Sequence, residues 1–201
     1  MTLVFVETDA DGQVTLTSAE AVTFARIHAT ALLSLLPDGG ASNAGNTEAV
    51  VVGDLSEDAV AELGRLGVET IHHLEHPELE EYSAAAWAQA IVDIAPESGT
   101  LLASGTPRGM ELMAHAAVRT GERMAANVVS ADDDGLLRQV FGGTAFERLR
   151  LDGDLHVLTV AGHACTPEET TPTDPEVLEY ELEIAEEDLR TRVVRTEEEA
   201  A

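Results

Sequence analysis

The sequence predicts a Rossmann-like α/β fold with a doubly wound, mostly parallel sheet and added antiparallel strands in its C-terminal part. Apolar, β-branched runs alternate with segments of helical periodicity as far as Ser130, which is typical of a parallel sheet covered by helices. Beyond Ser130 the connections contain glycine turns instead of helices, which indicates antiparallel hairpins. The chain has 201 residues, 44% of them hydrophobic, and this is enough to bury one core.

A strand, a helix and a loop are predicted at the start of the chain. Residues 3–7 form a short apolar run, and residues 17–36 carry apolar side chains at helical spacing. Thr17 and Glu20 have the spacing of a capping box, so the helix is expected to begin there. Residues 37–47 are rich in Gly, Ser and Asn and predict a loop.

The middle of the chain continues the alternation. Strands are predicted at 49–52, 69–74, 100–104 and 125–130, with helices between them at 56–66, 77–94 and 109–120. The helix at 77–94 carries Tyr82 and Trp87, whose rings are expected to pack against the sheet. A role for Trp87 as an interface anchor is the alternative.

Three further strands and an acidic arm complete the predicted elements. The strand-like runs are 136–141, 145–151 and 155–160, separated by Gly142-Gly143 and Asp152-Gly153. From Thr166 onward 13 acids face 3 arginines and prolines interrupt the chain. Residues 166–201 are therefore expected to form an extended tail or linker with one short strand near 177–184 and a loose end, and residues 1–165 to form the domain.

The charge balance excludes several classes of partner. The chain has 38 Asp and Glu residues, 11 Arg and no Lys, for a formal net charge of −27. At molar salt the Debye length falls to ~3 Å and such carboxylates form a hydrated coat, so the composition indicates a halophilic protein. No basic stripe is present to displace counterions from nucleic acid or to bind an anionic membrane.

The sequence also predicts a cytoplasmic protein. No apolar run approaches the roughly 20 residues of a membrane span, and the first residues lack the pattern of a signal peptide. The single cysteine, Cys165, excludes an internal disulfide, which agrees with a reducing compartment.

Four stretches carry a resemblance to a known family. They are residues 3–7 (LVFVE) followed by 17–21 (TSAEA), residues 50–53 (VVVG), residues 104–109 (SGTPRG) and residues 138–145 (RQVFGGTA). In this order and spacing they resemble the amino-terminal domain of the electron transfer flavoprotein alpha subunit, over nearly the whole chain. The sequence departs from the family at 108–110 (RGM), where the family commonly has Gly-Arg-Asp, and within 161–163 (AGH), where the family has an Arg.

The resemblance implies a non-catalytic scaffold domain of an electron carrier. The family pairs an alpha with a beta subunit to support flavin-mediated electron transfer from dehydrogenases. It holds FAD in a second domain, which would begin near the point where this sequence stops. The chain alone is therefore expected not to bind FAD, and a separate flavin domain is a further expected partner. The alternatives are a freestanding module that binds an adenine nucleotide and a small Cys/His enzyme.

The carboxyl ends of the parallel strands form the candidate ligand site, because ligands bind there in doubly wound sheets. The residues expected at this rim are Thr8, Asp9, Gly53, Asp54, Gly105, Thr106 and Arg108. Gly105, Thr106 and Arg108 are the candidates for cofactor binding. The sequence contains no P-loop and no G-x-G-x-x-G after a strand, so turns and helix capping are the competing explanation for these residues.

No catalytic or metal site is predicted. His72, His73 and His76 lie close to Glu75, but successive residues of a strand point to opposite faces, which favours surface roles for these histidines. His163 and Cys165 are the other candidate pair. The sequence supplies neither a third group to orient this pair nor an oxyanion cradle.

The hairpin region at 136–160 is the expected contact with a beta-like subunit. Helices cover a parallel sheet, whereas terminal antiparallel strands extend beyond it. Phe141, Phe146 and Leu149 are the expected anchors. The competing interpretation packs Phe146 inside the domain.

Overall fold

A computed structural model describes residues 1–37 and 46–195 of the chain. The strands are β1 (Thr2–Phe5), β2 (Thr47–Val52), β3 (Thr70–Leu74), β4 (Gly99–Ser104), β5 (Met124–Asp132), β6 (Gly135–Val140), β7 (Ala145–Leu149), β8 (Leu155–Val160) and β9 (Glu176–Glu179). The helices are α1 (Leu16–Ile27), α2 (Ala29–Ser34), α3 (Glu57–Arg65), α4 (Ala84–Ile94) and α5 (Pro107–Thr120).

These strands form one sheet in the order β7-β6-β5-β8-β4-β1-β2-β3-β9. The pairings of β6 with β5 and with β7 are antiparallel, and the other pairings between these strands are parallel. The predicted fold class, a Rossmann-like and mostly parallel α/β fold, is confirmed.

Helices cover both faces of the parallel part of the sheet. The first three helices pack on one face, where Phe24, Leu32 and Leu63 are buried. The remaining two cover the other face, where Trp87, Ile91 and Leu112 are buried. The central strands are buried on both faces, which explains their continuous apolar sequences.

The predicted helix at 17–36 is divided into two helices and begins earlier than predicted. The N-cap is Thr15, whose hydroxyl accepts a hydrogen bond from the N–H of Ser18 at 3.3 Å. The predicted capping box is wrong, because Glu20 is buried instead of reaching back to the helix start. The break falls at His28, whose Nδ1 lies 3.0 Å from the carbonyl oxygen of Ala131 in β5.

The predicted helix at 77–94 also has two parts. Residues Pro77–Leu79 form a 3₁₀ turn, and α4 begins only at Ala84. Tyr82 therefore lies in the connection and not on a helix. Trp87 is 7% exposed and donates its indole N–H to the carbonyl oxygen of Leu79 at 3.1 Å, so the predicted packing role is confirmed for this residue.

The position of β8 corrects the prediction of a second hairpin. Asp152-Gly153 does not return the chain onto β7, because β8 lies between β4 and β5 and is parallel to both. All six of its residues are buried, so it belongs to the centre of the sheet. Within residues 1–37 and 46–195, the antiparallel extension consists of β5, β6 and β7.

The acidic arm returns across the domain to the opposite sheet edge. Its strand β9 pairs in parallel with β3, and Tyr180, Leu182 and Ile184 pack against the core on the α4–α5 face. The hydroxyl of Ser83 donates to the carbonyl oxygen of Asp188 at 2.7 Å and holds the arm further along. The division of the chain at residue 165 stays a prediction.

Two predictions concern segments outside the described residues. Most of the loop at 37–47 and the loose end of the tail, residues 196–201, fall there. Among the residues that are described, no helix has the length and apolar character that a membrane crossing requires.

Candidate functional site

The topological switch point of the sheet lies between β1 and β4. The chain passes from β1 to β2 on one side, and from β3 it returns to β4 on the other side. Such a reversal leaves a crevice at the carboxyl ends of the two strands, where ligands of doubly wound folds bind.

The carboxylate of Glu7 occupies this crevice. Its Oε1 accepts hydrogen bonds from the hydroxyl of Ser104 at 3.0 Å and from the hydroxyl of Thr106. Thr106 is the N-cap of α5, and its hydroxyl also accepts from the N–H of Gly109 at 2.9 Å. Glu7 thus places a negative charge at a helix N-terminus, the position at which a phosphate would otherwise be stabilised.

A cleft of roughly 970 Å³ lies beside this crevice, between the strand ends and the arm. Six carboxylates line it: Asp9, Asp54, Glu75, Glu80, Glu81 and Glu179. Among the described residues of its wall, Arg108 is the one arginine, and His73 and His76 lie in the same wall. Because negative charge dominates this wall, an anionic ligand would be repelled from it.

Aromatic rings fix Arg108 within this cleft. Its guanidinium carbon lies 5.0 Å from the ring centre of Tyr82 and 5.4 Å from that of Trp87. The Tyr82 hydroxyl donates to Glu111 at 2.8 Å. Burial, followed by the bond to Glu111, raises the pKa of Tyr82 well above its ordinary value, so this hydroxyl stays protonated.

The three candidate cofactor residues are therefore not brought together as one ligand site. Thr106 is engaged by Glu7, and Gly105 donates its N–H to the carbonyl oxygen of Val160 at 2.7 Å. A Cβ at residue 105 would lie 2.6 Å from that oxygen, so close packing explains this glycine. Of the three candidates, only Arg108 lines the cleft. The predicted rim residues Thr8, Asp9, Gly53 and Asp54 line it as well.

The three neighbouring histidines have separate partners, and that of His76 is the backbone N–H of Glu78, which donates to its Nδ1 at 3.1 Å. His72 lies between a carboxylate oxygen of Glu48 at 2.7 Å and the hydroxyl of Tyr180 at 2.5 Å, and it is 7% exposed. The predicted surface role is wrong for His72, because the arm covers this strand. His73 pairs with the carbonyl oxygen of Gly53 at 2.8 Å. No group of three or more metal-ligating side chains occurs within residues 1–37 and 46–195.

His163 and Cys165 both form hydrogen bonds with Glu20, but to different atoms of it. The carboxylate of Glu20 accepts from the backbone N–H of His163 at 3.0 Å, and the Cys165 thiol donates to the backbone carbonyl oxygen of Glu20, also at 3.0 Å. Burial, followed by the charge of Glu20, raises the pKa of the thiol. A raised pKa disfavours the thiolate that nucleophilic catalysis needs.

Two parts of the site are not predicted by the sequence. The sequence predicts Glu7 only as the end of a strand. An acid at the end of one strand, with Ser104 and Thr106 at the end of the neighbouring strand, is the signal that indicates this contact. The arm wall, with Tyr180 and Val193, had no local signal, because it depends on pairing between residues about a hundred positions apart.

Fold and site together define a doubly wound α/β protein whose switch point is closed by its own carboxylate. The chain belongs to the electron transfer flavoprotein family, since the family model described as Electron transfer flavoprotein domain matches residues 2–185. A comparison with curated proteins finds no match.

Flavin is the cofactor associated with this family, and the described residues do not fit a flavin dinucleotide at the switch point. Its pyrophosphate needs free N–H groups at a helix N-terminus. Here Glu7 stands at that N-terminus, residue 107 is a proline without an N–H, and the N–H of Gly109 is bound by Thr106.

Proposed function

We propose that this chain is a non-catalytic, cytoplasmic scaffold domain of an alpha-type electron transfer flavoprotein subunit. In this proposal it pairs with a beta-type subunit and supports flavin-mediated electron transfer from dehydrogenases. Residues 166–201 serve as the linker towards a flavin domain, and residues 1–165 provide the folded support. The family assignment over residues 2–185 supports the proposal.

The observation that carries the pairing is the exposed apolar tip and edge of the β6–β7 hairpin. Phe141 is 83% exposed and Phe146 is 59% exposed. β7 is an end strand of the sheet, so its outer backbone groups are available to another chain. Exposed aromatic rings beside a free strand edge favour a protein partner.

The three expected anchors differ in their exposure. Phe146 does not pack inside the domain, and Phe141 lies in the turn between the strands at a φ of 52°. Leu149 is half-buried and contacts the core, because alternate residues of β7 point to opposite faces. We therefore keep Phe141 and Phe146 as anchors and assign Leu149 to packing.

The alternative function, a freestanding adenine-nucleotide module, has only the topology of the switch point in its favour. The phosphates would meet Glu7 and the acidic wall of the cleft. Scaffolding requires no ligand in that crevice, so the closed switch point agrees with it better.

Phe146→Asp tests the proposed pairing. Because Phe146 is exposed, the variant should fold, and its affinity for a beta-type subunit should fall at least tenfold when a charge enters the interface centre. Val118→Asp is the matched control, since Val118 is 83% exposed on α5 and undergoes the same change of charge.

Calorimetry with the purified beta-type subunit measures the affinities, and circular dichroism checks both variants for folding. Equal affinities for the two folded variants would remove the hairpin from the interface. Failure of the unmodified chain to bind would refute the pairing itself.

A further inference from the structure

The acidic arm runs along the outside of the domain and is not part of its core. Every fully buried side chain among the described residues lies between residues 2 and 161. The arm, described over residues 166–195, adds only partly buried apolar side chains to the core: Tyr180, Leu182, Ile184 and Leu189. The core is therefore complete without the arm, and the free energy of docking the arm is separate from the stability of the domain.

Backbone hydrogen bonds hold the arm at its start, middle and end. The N–H groups of Thr170, Glu176 and Val193 donate to carbonyl oxygens of the domain at 2.8, 2.9 and 2.9 Å. Between them, β9 pairs with β3 at the edge of the sheet. The exchange of these three amides with solvent therefore reports whether each part of the arm is docked.

Two side-chain contacts fix the second half of the arm. The hydroxyl of Tyr180 lies 2.5 Å from Nδ1 of His72, whose Nε2 lies 2.7 Å from a carboxylate oxygen of Glu48. The carboxylate of Asp188 accepts a hydrogen bond from the guanidinium of Arg119 in α5. The side chains of Arg119 and Asp188 are only 24% and 13% exposed, so salt screens this ion pair much less than it screens charges in open solvent.

The overall charge of the arm opposes its docking. The described part of the arm has ten acids and three arginines, and residues 1–165 have 25 acids and eight arginines, so both parts are strongly negative. At about 0.1 M salt the Debye length is ~10 Å, and the carboxylates of the two parts repel one another across the contact. At molar salt the Debye length is ~3 Å, which removes most of this repulsion and leaves the hydrogen bonds and the shielded ion pair in place.

We propose that the arm is a salt-sensitive switch, docked at molar salt and released at low ionic strength while the domain keeps its fold. Release removes part of the cleft wall, because Glu179, Tyr180 and Val193 line the cleft. It also uncovers the outer edge of β3, which becomes available to a strand of another protein. This inference does not rest on the proposed pairing with a beta-type subunit, since it concerns contacts within the chain only.

Hydrogen exchange of the full chain, followed by mass spectrometry, tests the proposal at about 0.1 M and about 3 M KCl. Peptides containing the amides of Thr170, Glu176 and Val193 should exchange at least about tenfold faster at the lower salt concentration, while the central strands β1, β4 and β8 stay protected. Simultaneous loss of protection in the arm and the central strands would show global unfolding and overturn the proposal. Equal protection of the arm at both salt concentrations would overturn it as well.

Two variants with the same change of charge separate the ion pair from the repulsion. Asp188→Asn weakens the contact with Arg119 and should speed exchange at Val193 at least about tenfold at about 3 M KCl. Glu181→Gln removes a charge from an exposed position of the arm, so it should leave this exchange unchanged at high salt and slow it at low salt. Equal acceleration in both variants, or unchanged exchange in Asp188→Asn, would contradict the switch.

Discussion

Replacement of Glu7 tests whether an internal anion closes the switch point. Glu7→Ala removes the acceptor of two hydrogen bonds and leaves the hydroxyl of Ser104, which is 3% exposed, without this partner. Hydrogen bonds to a charged group contribute roughly 1.5 to 3 kcal/mol each to stability. Because the two share one oxygen, we expect the free energy of unfolding to fall by about 3 to 4 kcal/mol. That is a large part of a typical stability of about 5 to 15 kcal/mol.

Glu7→Gln separates the charge from the hydrogen bonds. Glutamine offers one carbonyl oxygen to both hydroxyls but no negative charge to the N-terminus of α5. We expect the free energy of unfolding to fall by roughly 1 to 2 kcal/mol. This is the difference in strength between hydrogen bonds to charged and to neutral acceptors, plus the lost interaction of the charge with the helix dipole. Glu97→Gln, on an exposed turn, removes the same charge without these contacts and corrects for the reduced self-repulsion.

Urea denaturation at a fixed, high salt concentration measures all three variants. The free energy of unfolding should decrease in the order wild type, Glu7→Gln, Glu7→Ala, relative to the Glu97→Gln control. The reasoning is refuted if Glu7→Ala unfolds within about 0.5 kcal/mol of the control, the range of ordinary surface substitutions.

Two further outcomes follow from the charge distribution. Thermal melting should rise continuously from about 0.1 to 3 M KCl as the Debye length falls from roughly 10 to 3 Å, because 27 excess negative charges repel less when screened; a flat or falling series would contradict this. The purified chain should be colourless after dialysis, because Glu7 and the acidic cleft oppose a flavin pyrophosphate, and stoichiometric flavin absorbance would disprove it.

The parallel part of the fold was predictable because its strands carry their own signal. Strands buried on both faces read as continuous apolar runs, and the helices between them have one apolar face. The break at His28 was not predictable, because a contact with Ala131 in β5 accompanies it. A local pattern does not report a partner about a hundred residues away.

The position of β8 shows where turn chemistry misleads. Asp152-Gly153 has the composition of a hairpin turn, yet the following six residues, LHVLTV, are all buried. An edge strand of a hairpin keeps polar residues in its interior, as β7 does with Glu147 and Arg148 in AFERL. The predominantly apolar sequence of this segment, with only His156 and Thr159 as polar residues, was the better indicator of an interior strand.

The candidate site was predicted in position but not in chemistry. Most of the rim residues do lie at the cleft, because the rule of the switch point depends only on topology. Which side chain fills the crevice depends on rotamers and on distances below 3 Å, and neither is encoded in a local pattern. Glu7 was therefore missed, whereas Arg108 was placed correctly in the cleft wall.

The same charge distribution explains why a partner would choose the hairpin over the cleft. Residues 135–150 contain three arginines and one glutamate, whereas the chain as a whole carries a net charge of −27. At molar salt only charges in contact interact, so the local composition of a surface determines whether it can dock. The hairpin joins this composition, in which Arg138 is paired with Glu147 and Arg148 with Asp132, to two exposed phenylalanines and a strand edge that no other described strand pairs with. The cleft has six carboxylates among its described residues, and Arg108 already covers the rings of Tyr82 and Trp87, so the cleft offers few apolar groups to a partner protein.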